Sequence, residues 1–357
     1  MAAKVQEHYA NLEASGRDVQ TIAPDASTVE EMIDAAFWAS LRREEGYVPT
    51  ISLALVSPDC SERPMMLDCP VPLLPDALSR LAPAVKQPGI HLGVSHHAGG
   101  LRVWGTTRSI PAFCFVLEVI APGLLVVKHR RSDETGKFTN VAVVQGDEIK
   151  VLLQERSAAA ETPELVQSLL GFNGVNSGHA KLNVLEQLAT AMRAHRRGGA
   201  LLVVPANNDT WRSSVVQPMR YAVSPAYCEL TDLVAGDATQ GRFRRAIDSI
   251  AGLTVVDGAT VITDRYELLA FGVKIIRRDG WPQVTRVMVA EPVEGANATL
   301  VHPSTLGGTR HLSAAQFVQD QRDAIALVAS QDERFTIFSW SASDDMLYAH
   351  RVESLLL

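Results

Sequence analysis

The chain has 357 residues, with 33 Lys and Arg against 40 Asp and Glu for a net charge of −7, and 46% of its residues are hydrophobic. That composition can bury a core and excludes an intrinsically disordered chain and a disulfide-stapled miniprotein, while the mildly acidic balance argues against a general nucleic-acid coat. At roughly 100–200 residues per domain, the length points to two domains. Cys60, Cys69, Cys114 and Cys228 form no CxxC pair and read as reduced, buried thiols. The N-terminal residues contain no apolar signal region, and no apolar run approaches the ~18 residues of a membrane span. The expectation is a cytoplasmic protein that does not cross a membrane and is not a nucleic-acid binder.

In chain order, residues 1–26 are polar and read as a loose, flexible arm. Ser27 followed by Glu30 makes a capping-box pattern, and Ile33, Ala36, Phe37 and Leu41 recur at helical spacing, which predicts a helix from Val29 to Arg43. Thr50 to Ser57 reads as a strand, followed by a Pro-rich connection through Pro70, Pro72 and Pro75 and a short helix over Asp76 to Leu81. His91 to Val94, Leu101 to Trp104, Phe113 to Ile120, Gly123 to His129, Asn140 to Val144 and Glu148 to Leu153 read as strands separated by turn residues. Residues 27–156 are therefore expected to form a strand-rich α+β domain. A linker helix and loop are expected over 157–177, with Thr162 capping a helix that starts at Pro163.

Residues 178–357 read as a mixed-sheet α/β domain with helices on both faces. Leu182, Leu185, Leu188, Ala189 and Met192 mark one face of a helix closed by Arg196, Arg197 and Gly198-Gly199, and Ala200 to Val204 is an all-apolar central strand. Thr254 to Val256 and Thr260 to Thr263 read as strands around Asp257-Gly258-Ala259. Gly307-Gly308-Thr309 opens a helix, and Ala324 to Ala329 pairs with Phe335 to Trp340. The sequence shows no internal repeat.

Common catalytic signatures are absent. Gly136-Lys137 lacks the rest of a phosphate loop, and there is no HExxH helix. Gly93-Val94-Ser95-His96-His97 lacks the last glycine of a nucleophile elbow and runs into a strand pattern. His96 and His97 fall on opposite faces of an extended segment, which argues against a shared metal. Arg242, Arg244 and Arg245 read as a solvated helix face, and Trp104, Trp281 and Trp340 as core or edge packing.

Two segments carry chemistry. A carboxylate beside a glycine, as in Asp257-Gly258-Ala259, suits a metal or hydroxyl ligand because the glycine lets backbone approach closely; Asp-Gly is equally the signal of a hairpin turn. In Gly308-Thr309-Arg310-His311 the free amides of a helix start, a hydroxyl, a guanidinium and an imidazole make a phosphate cradle; a plain helix capped by Thr309 explains the same residues.

In this order the two segments resemble the diadenylate cyclase catalytic domain, which joins two ATP molecules into cyclic di-AMP. The resemblance covers roughly residues 178–345: a helix, an apolar strand, Asp-Gly-Ala, Gly-Thr-Arg-His opening a helix, and an apolar strand leading to Ser330-Gln331-Asp332. The whole chain, including Ala39 to Gly46, is similar to the divergent DACNV branch, cyclase-related probable sensors in bacterial signalling and conflict systems. The resemblance implies that Asp257 is the metal ligand and the activator of the ribose hydroxyl. It also implies that Gly258 and Ala259 line the nucleotide, that Gly308, Thr309, Arg310 and His311 hold phosphates, and that Ser330 borders the site. Mg²⁺ or Mn²⁺ would arrive with the nucleotide.

Two positions depart from the family pattern. Leu312 stands where the family has a second arginine, and Gln331-Asp332 where it has Glu-Glu. Loss of those charges should harm phosphoryl transfer more than binding. The expected function is a nucleotide or cyclic-dinucleotide sensor. The alternatives are an active diadenylate cyclase and a structural interaction module with a dead pocket. The expected partners are a nucleotide and a second copy or effector protein.

Overall fold

A computed structural model describes residues 1–14, 23–43, 48–62, 64–131, 138–152, 166, 179–236 and 239–357. The linker expected over 157–177 falls outside them, Val166 excepted. The chain divides into two compact units, Met1–Glu155 with Leu357, and Arg156–Leu356. Each is a mixed α+β unit built on one large mixed sheet.

The first unit begins with helix α1 (Ala2–Ala14), α2 (Ala26–Ser40) and strand β1 (Ile51–Leu55). Then come β2 (Met65–Pro72), α3 (Pro75–Leu81), β3 (His91–His97), β4 (Gly100–Thr107), β5 (Phe115–Ala121), β6 (Leu124–Arg130), β7 (Phe138–Gln145) and β8 (Glu148–Val151). The strand order is β2-β4-β3-β1-β5-β6-β7-β8, with β1 and β3 parallel and every other pair antiparallel. Helices α1, α2 and α3 share one core with Leu53, Leu92, Leu117 and Val127.

Several expectations need correction here. Residues 1–26 are not a loose arm throughout: α1 buries Val5 and Tyr9 in that core, so its few apolar residues dock although the segment as a whole is polar. The cap of α2 is Asp25, whose carboxylate accepts from the Thr28 amide, so the helix starts before Ser27. The Pro-rich connection holds β2, an edge strand, where a proline costs no ladder bond. Of the four cysteines Cys114 is buried, its thiol pushed up to about 12 by burial, while Cys60 and Cys69 are exposed. Trp104 is core, lying on Gly93, where a Cβ would come within 2.0 Å of the ring.

The second unit contains α4 (His179–Ala194), β9 (Gly199–Val204), β10 (Tyr221–Tyr227), α5 (Glu229–Ala235), α6 (Gln240–Leu253), β11 (Ala259–Thr263) and β12 (Leu268–Val273). These are followed by β13 (Val287–Ala290), β14 (Thr299–Val301), α7 (Thr309–Asp320), β15 (Ile325–Ala329), β16 (Phe335–Ser341) and β17 (Met346–Arg351). The order is β10-β12-β11-β9-β15-β16-β17-β13-β14, with β9 parallel to β11 and β13 parallel to β17. Ala200, Leu202 and Val204 face the core beneath α7, while Leu201 and Val203 point the other way and are also buried. The sheet is thus covered on both faces.

Seven strands of each unit follow one plan. β1 to β7 and β9, β10, β11, β12, β15, β16, β17 share strand order and directions: a central strand, a parallel neighbour reached through helices, an edge strand beyond the next hairpin, and an antiparallel meander on the other side. The absence of a sequence repeat therefore does not extend to topology. The difference lies in one connection. Residues 108–114 join β4 to β5 directly, whereas β12 and β15 are separated by β13, β14 and α7. Buried side chains on α7 anchor this insertion: Asp320 accepts from the Arg278 amide at 2.7 Å, and Gln316 accepts from the Val284 amide at 2.9 Å. No helix of the described residues is long and apolar enough to cross a membrane.

Two expectations follow from the packing. Tyr9→Ala should lower first-unit stability by about 3–5 kcal/mol, the range for removing a buried aromatic ring, measurable by urea unfolding; no change would return α1 to the status of a loose arm. In the second unit, burial pushes His350 down to about 4 from 6.5. The folded pKa lies below the unfolded one, so the neutral ring's stabilisation is complete above about pH 6.5. It is lost as pH falls toward about 4, at ~1.4 kcal/mol for each pH unit between the two values. Melting curves should show that decline, and His350→Leu should flatten it.

Candidate functional site

The parallel pairing of β9 with β11 and the antiparallel pairing with β15 bring three chain ends to one end of the second sheet. Thr260 lies beside Leu201 and Gly199 opposite Ala329, so Asp257-Gly258, Gly198-Gly199 and Ser330 stand side by side. The strand expected over Thr254 to Val256 is absent and the Asp257-Gly258 turn is not a hairpin: these residues turn out of the C-terminus of α6. Gly258 has φ +112°, and a Cβ there would meet the Gly272 carbonyl carbon and the Val273 oxygen at 2.6 Å. Both obstacles are backbone, so only glycine fits and the position of Asp257 is fixed. Asp257 is exposed and has no hydrogen-bond or ion-pair partner within the described residues. Ala259 is buried as the first residue of β11.

Helix α7 brings the second segment to the same end. Its N-cap is Gly308, not Thr309, and no side chain caps the first turn. The first amides are therefore left for an external acceptor, beside the positive end of the helix dipole. Thr309 is exposed at the first helical position. Arg310 is half-buried and forms no ion pair in the described structure. A carbon added at Gly198 would lie 3.5 Å from the Arg310 guanidinium and 3.5 Å from Gln331 Cγ, which puts Arg310 between the start of β9 and the end of β15. Sequence alone presents Gly198 only as a helix terminator. The available signal is a Gly-Gly pair directly before an all-apolar strand, a mark of close approach as much as of a helix end.

His311 departs from its expected phosphate-holding role. It is buried at 2% exposure, edge-on to Phe338 at 6.3 Å, and its Nε2 has no hydrogen-bond partner among the described residues. Burial holds its pKa below the ordinary histidine value, so it is a neutral ring in the core and not a cation for an anion. Leu312 packs partly buried against the same core. Ser330 donates to Asp332, whose carboxyl sits below its ordinary value through that bond and the nearby Arg334 at 3.2 Å. Gln331 is exposed.

The arrangement gathers one free carboxylate, one unpaired guanidinium and an uncapped helix start on a glycine-lined backbone. It can hold an anionic group at Arg310 and α7, and a hydroxyl or a cation at Asp257. Among the described residues no group of three or more His, Cys, Asp or Glu side chains is gathered to hold a metal ion. A lone carboxylate still fits Mg²⁺ or Mn²⁺ carried by nucleotide phosphates, since magnesium is commonly bound through one or two carboxylates plus substrate oxygens.

The remaining sequence candidates fall elsewhere. Ser95, His96 and His97 lie in the β3–β4 hairpin with no helix following. Arg242, Arg244 and Arg245 are exposed on α6, with Arg244 paired to Asp248 at 3.4 Å. The first unit has a polar group on its sheet, with Ser52 Oγ 2.7 Å from His91 Nδ1 and Glu118 paired to Lys128, but its members satisfy one another.

Residues 18–108 match the family described as "Probable sensor domain DACNV". No curated protein matches the sequence. Among solved structures, the chain is similar to a hypothetical membrane spanning protein from Bacillus cereus, at 15% identity over 52% of this chain and 67% of that one, with a TM-score of 0.28. It is also similar to a double-cysteine mutant of DacA from Staphylococcus aureus, at 14% identity over 47% of this chain and 83% of that one, with a TM-score of 0.25. The family match lies within the first unit, from the segment before α2 to the end of β4, ahead of both the Asp257 and Arg310 segments. Over residues 18–108 the chain is thus similar to the probable sensor domain DACNV.

Proposed function

We propose that the second unit binds a nucleotide or cyclic dinucleotide, and that the chain uses this binding for sensing. The observation that carries the reading is the unpaired Arg310 beside the uncapped start of α7, at the same sheet end as the free Asp257 carboxylate. A half-buried guanidinium without a counter-ion, set next to free helix amides, is an anion site by its electrostatics. Asp257 would receive the ribose hydroxyls or a nucleotide-borne Mg²⁺ or Mn²⁺. A second copy of the chain or an effector protein would receive the signal.

The electrostatics favour binding over turnover. Phosphoryl transfer is driven by cations and metals aimed at charge that develops in the transition state. Here His311 and Leu312 face the core, leaving one guanidinium from that helix turn. The alternative of an active cyclase keeps one observation in its favour, namely that Asp257 is exposed and unpartnered.

Arg310→Ala should weaken binding of ATP or cyclic di-AMP by about 1.5–3 kcal/mol, the range for a hydrogen bond to a charged group, in isothermal titration with Mg²⁺ or Mn²⁺. Equal affinities for mutant and wild type would make Arg310 structural, and no affinity in the wild type would leave the structural-module reading. The same protein incubated with ATP and Mn²⁺ should yield little or no cyclic di-AMP by mass spectrometry. Repeated turnover near ~1 per second, ordinary for an enzyme, would instead establish the cyclase.

A further inference from the structure

We propose that the stacked rings of Tyr221 and Phe271 are the base-stacking platform of the nucleotide site. This inference rests on the reading above and extends it to a part of the sheet that neither sequence segment reaches.

The two rings face each other across the β10–β12 pair with centroids 5.0 Å apart and planes 1° from parallel. β10 is the edge strand, Tyr221 is 38% exposed and Phe271 is half-buried, so the ring pair is partly open at the rim of the sheet. It is also contiguous with Asp257. A carbon added at Gly272 would come within 2.8 Å of the Tyr221 ring and 3.2 Å of Val256 Cγ1, and Gly272 is the residue against which Gly258 packs. Tyr221, Gly272, Val256 and Gly258 therefore form one unbroken patch leading to the carboxylate.

The order of groups matches the order of parts in a nucleotide. Along the sheet end lie the Tyr221 ring on β10, Asp257 before β11, and Arg310 between β9 and β15. Three strand spacings separate β10 from β9, about 14 Å, a span that a nucleoside triphosphate can bridge with base, ribose and phosphates in sequence. Tyr221 enters at the correct end of the sheet, because it pairs with Phe271 while Ala259 pairs with Val273 two residues further along β12. Arg220 lies over the Tyr221 ring with its guanidinium 5.3 Å from the centroid, a cation–π contact that a stacking base would share or displace. Every base has a π-face, so such a platform selects for a nucleobase without choosing which one.

A cross-strand aromatic pair can also serve the sheet alone, and the test separates the two roles. The probes are ATP and inorganic tripolyphosphate, titrated into the full chain with Mg²⁺. Tyr221→Ala and Tyr221→Leu should weaken ATP binding about tenfold or more, in the range of base–aromatic stacking, and leave tripolyphosphate binding unchanged. Tyr221→Phe should restore ATP binding, and Arg310→Ala should weaken both probes. Melting curves of each variant confirm that the fold is intact. If tripolyphosphate and ATP bind but both non-aromatic variants keep wild-type ATP affinity, the platform is overturned and the nucleotide reading stands. Equal losses for the two probes would also overturn it. If wild type binds neither probe, both inferences fall together.

Discussion

The close contact of Gly258 with the backbone of Gly272 and Val273 sets the geometry of the second unit's sheet end. Backbone atoms 2.6 Å from where a Cβ would stand cannot give way as a flexible side chain would. The contact holds the α6–β11 loop down on β12 and fixes where the chain turns from helix to strand, and so where Asp257 emerges. On its other side, Gly272 supports the Tyr221 ring, and the parallel pairing of β11 with β9 carries the same level across to Gly198 and Arg310. One steric requirement thus aligns groups from four strands and one helix.

The two units show what a single insertion does to a shared plan. Both sheets run through the same seven-strand order, and both place helices before the central strand and inside the parallel crossover. In the first unit the β4–β5 connection is residues 108–114, and the chemistry on its sheet is turned inward as the Ser52, His91, Glu118 and Lys128 network. In the second unit the same point in the order admits α7 with its uncapped start, held by Asp320 and Gln316. Buried polar side chains are costly unless paired, and here bonds with the Arg278 and Val284 amides and the Pro282 carbonyl tie α7 to the segment that precedes β13. The DACNV match, over residues 18–108, lies within the unit without that helix, apart from the Asp257 and Arg310 segments.

Within the first turn of α7, consecutive residues are sorted by helical geometry. Arg310 emerges toward Gly198, whereas His311 and Leu312 turn to the core against Phe338 and its neighbours. Roughly 100° of rotation per residue is enough to separate a half-exposed guanidinium from an imidazole that is desolvated and neutral. A motif with three polar side chains, Thr309, Arg310 and His311, therefore does not present all three to one side of the helix.

Local order was legible in the sequence. Apolar runs such as Ala200 to Val204 and Phe335 to Trp340 marked strands, Asp-Gly marked a place where backbone is crowded, Gly198-Gly199 marked a helix end, and Gly308 marked a helix start, because each depends on the side chains of a few neighbouring residues. Single-segment readings missed where a short helix found a surface to dock on, as Val5 and Tyr9 of α1 do, and where Thr254 to Val256 ended a helix in place of a strand. Strand order and register were beyond reach, since they are set by hydrogen bonds and packing between residues far apart in the chain. Gly199 meets Ala329 and Thr260 meets Leu201 only in the folded sheet. The sequence by itself determined the elements marked by strong apolar runs and the two chemical segments. Tertiary structure alone decided that those segments share one sheet end, that His311 is core, that Tyr221 stands in line with Asp257, and that the two halves follow one plan, because burial and long-range pairing decide which side chains remain available.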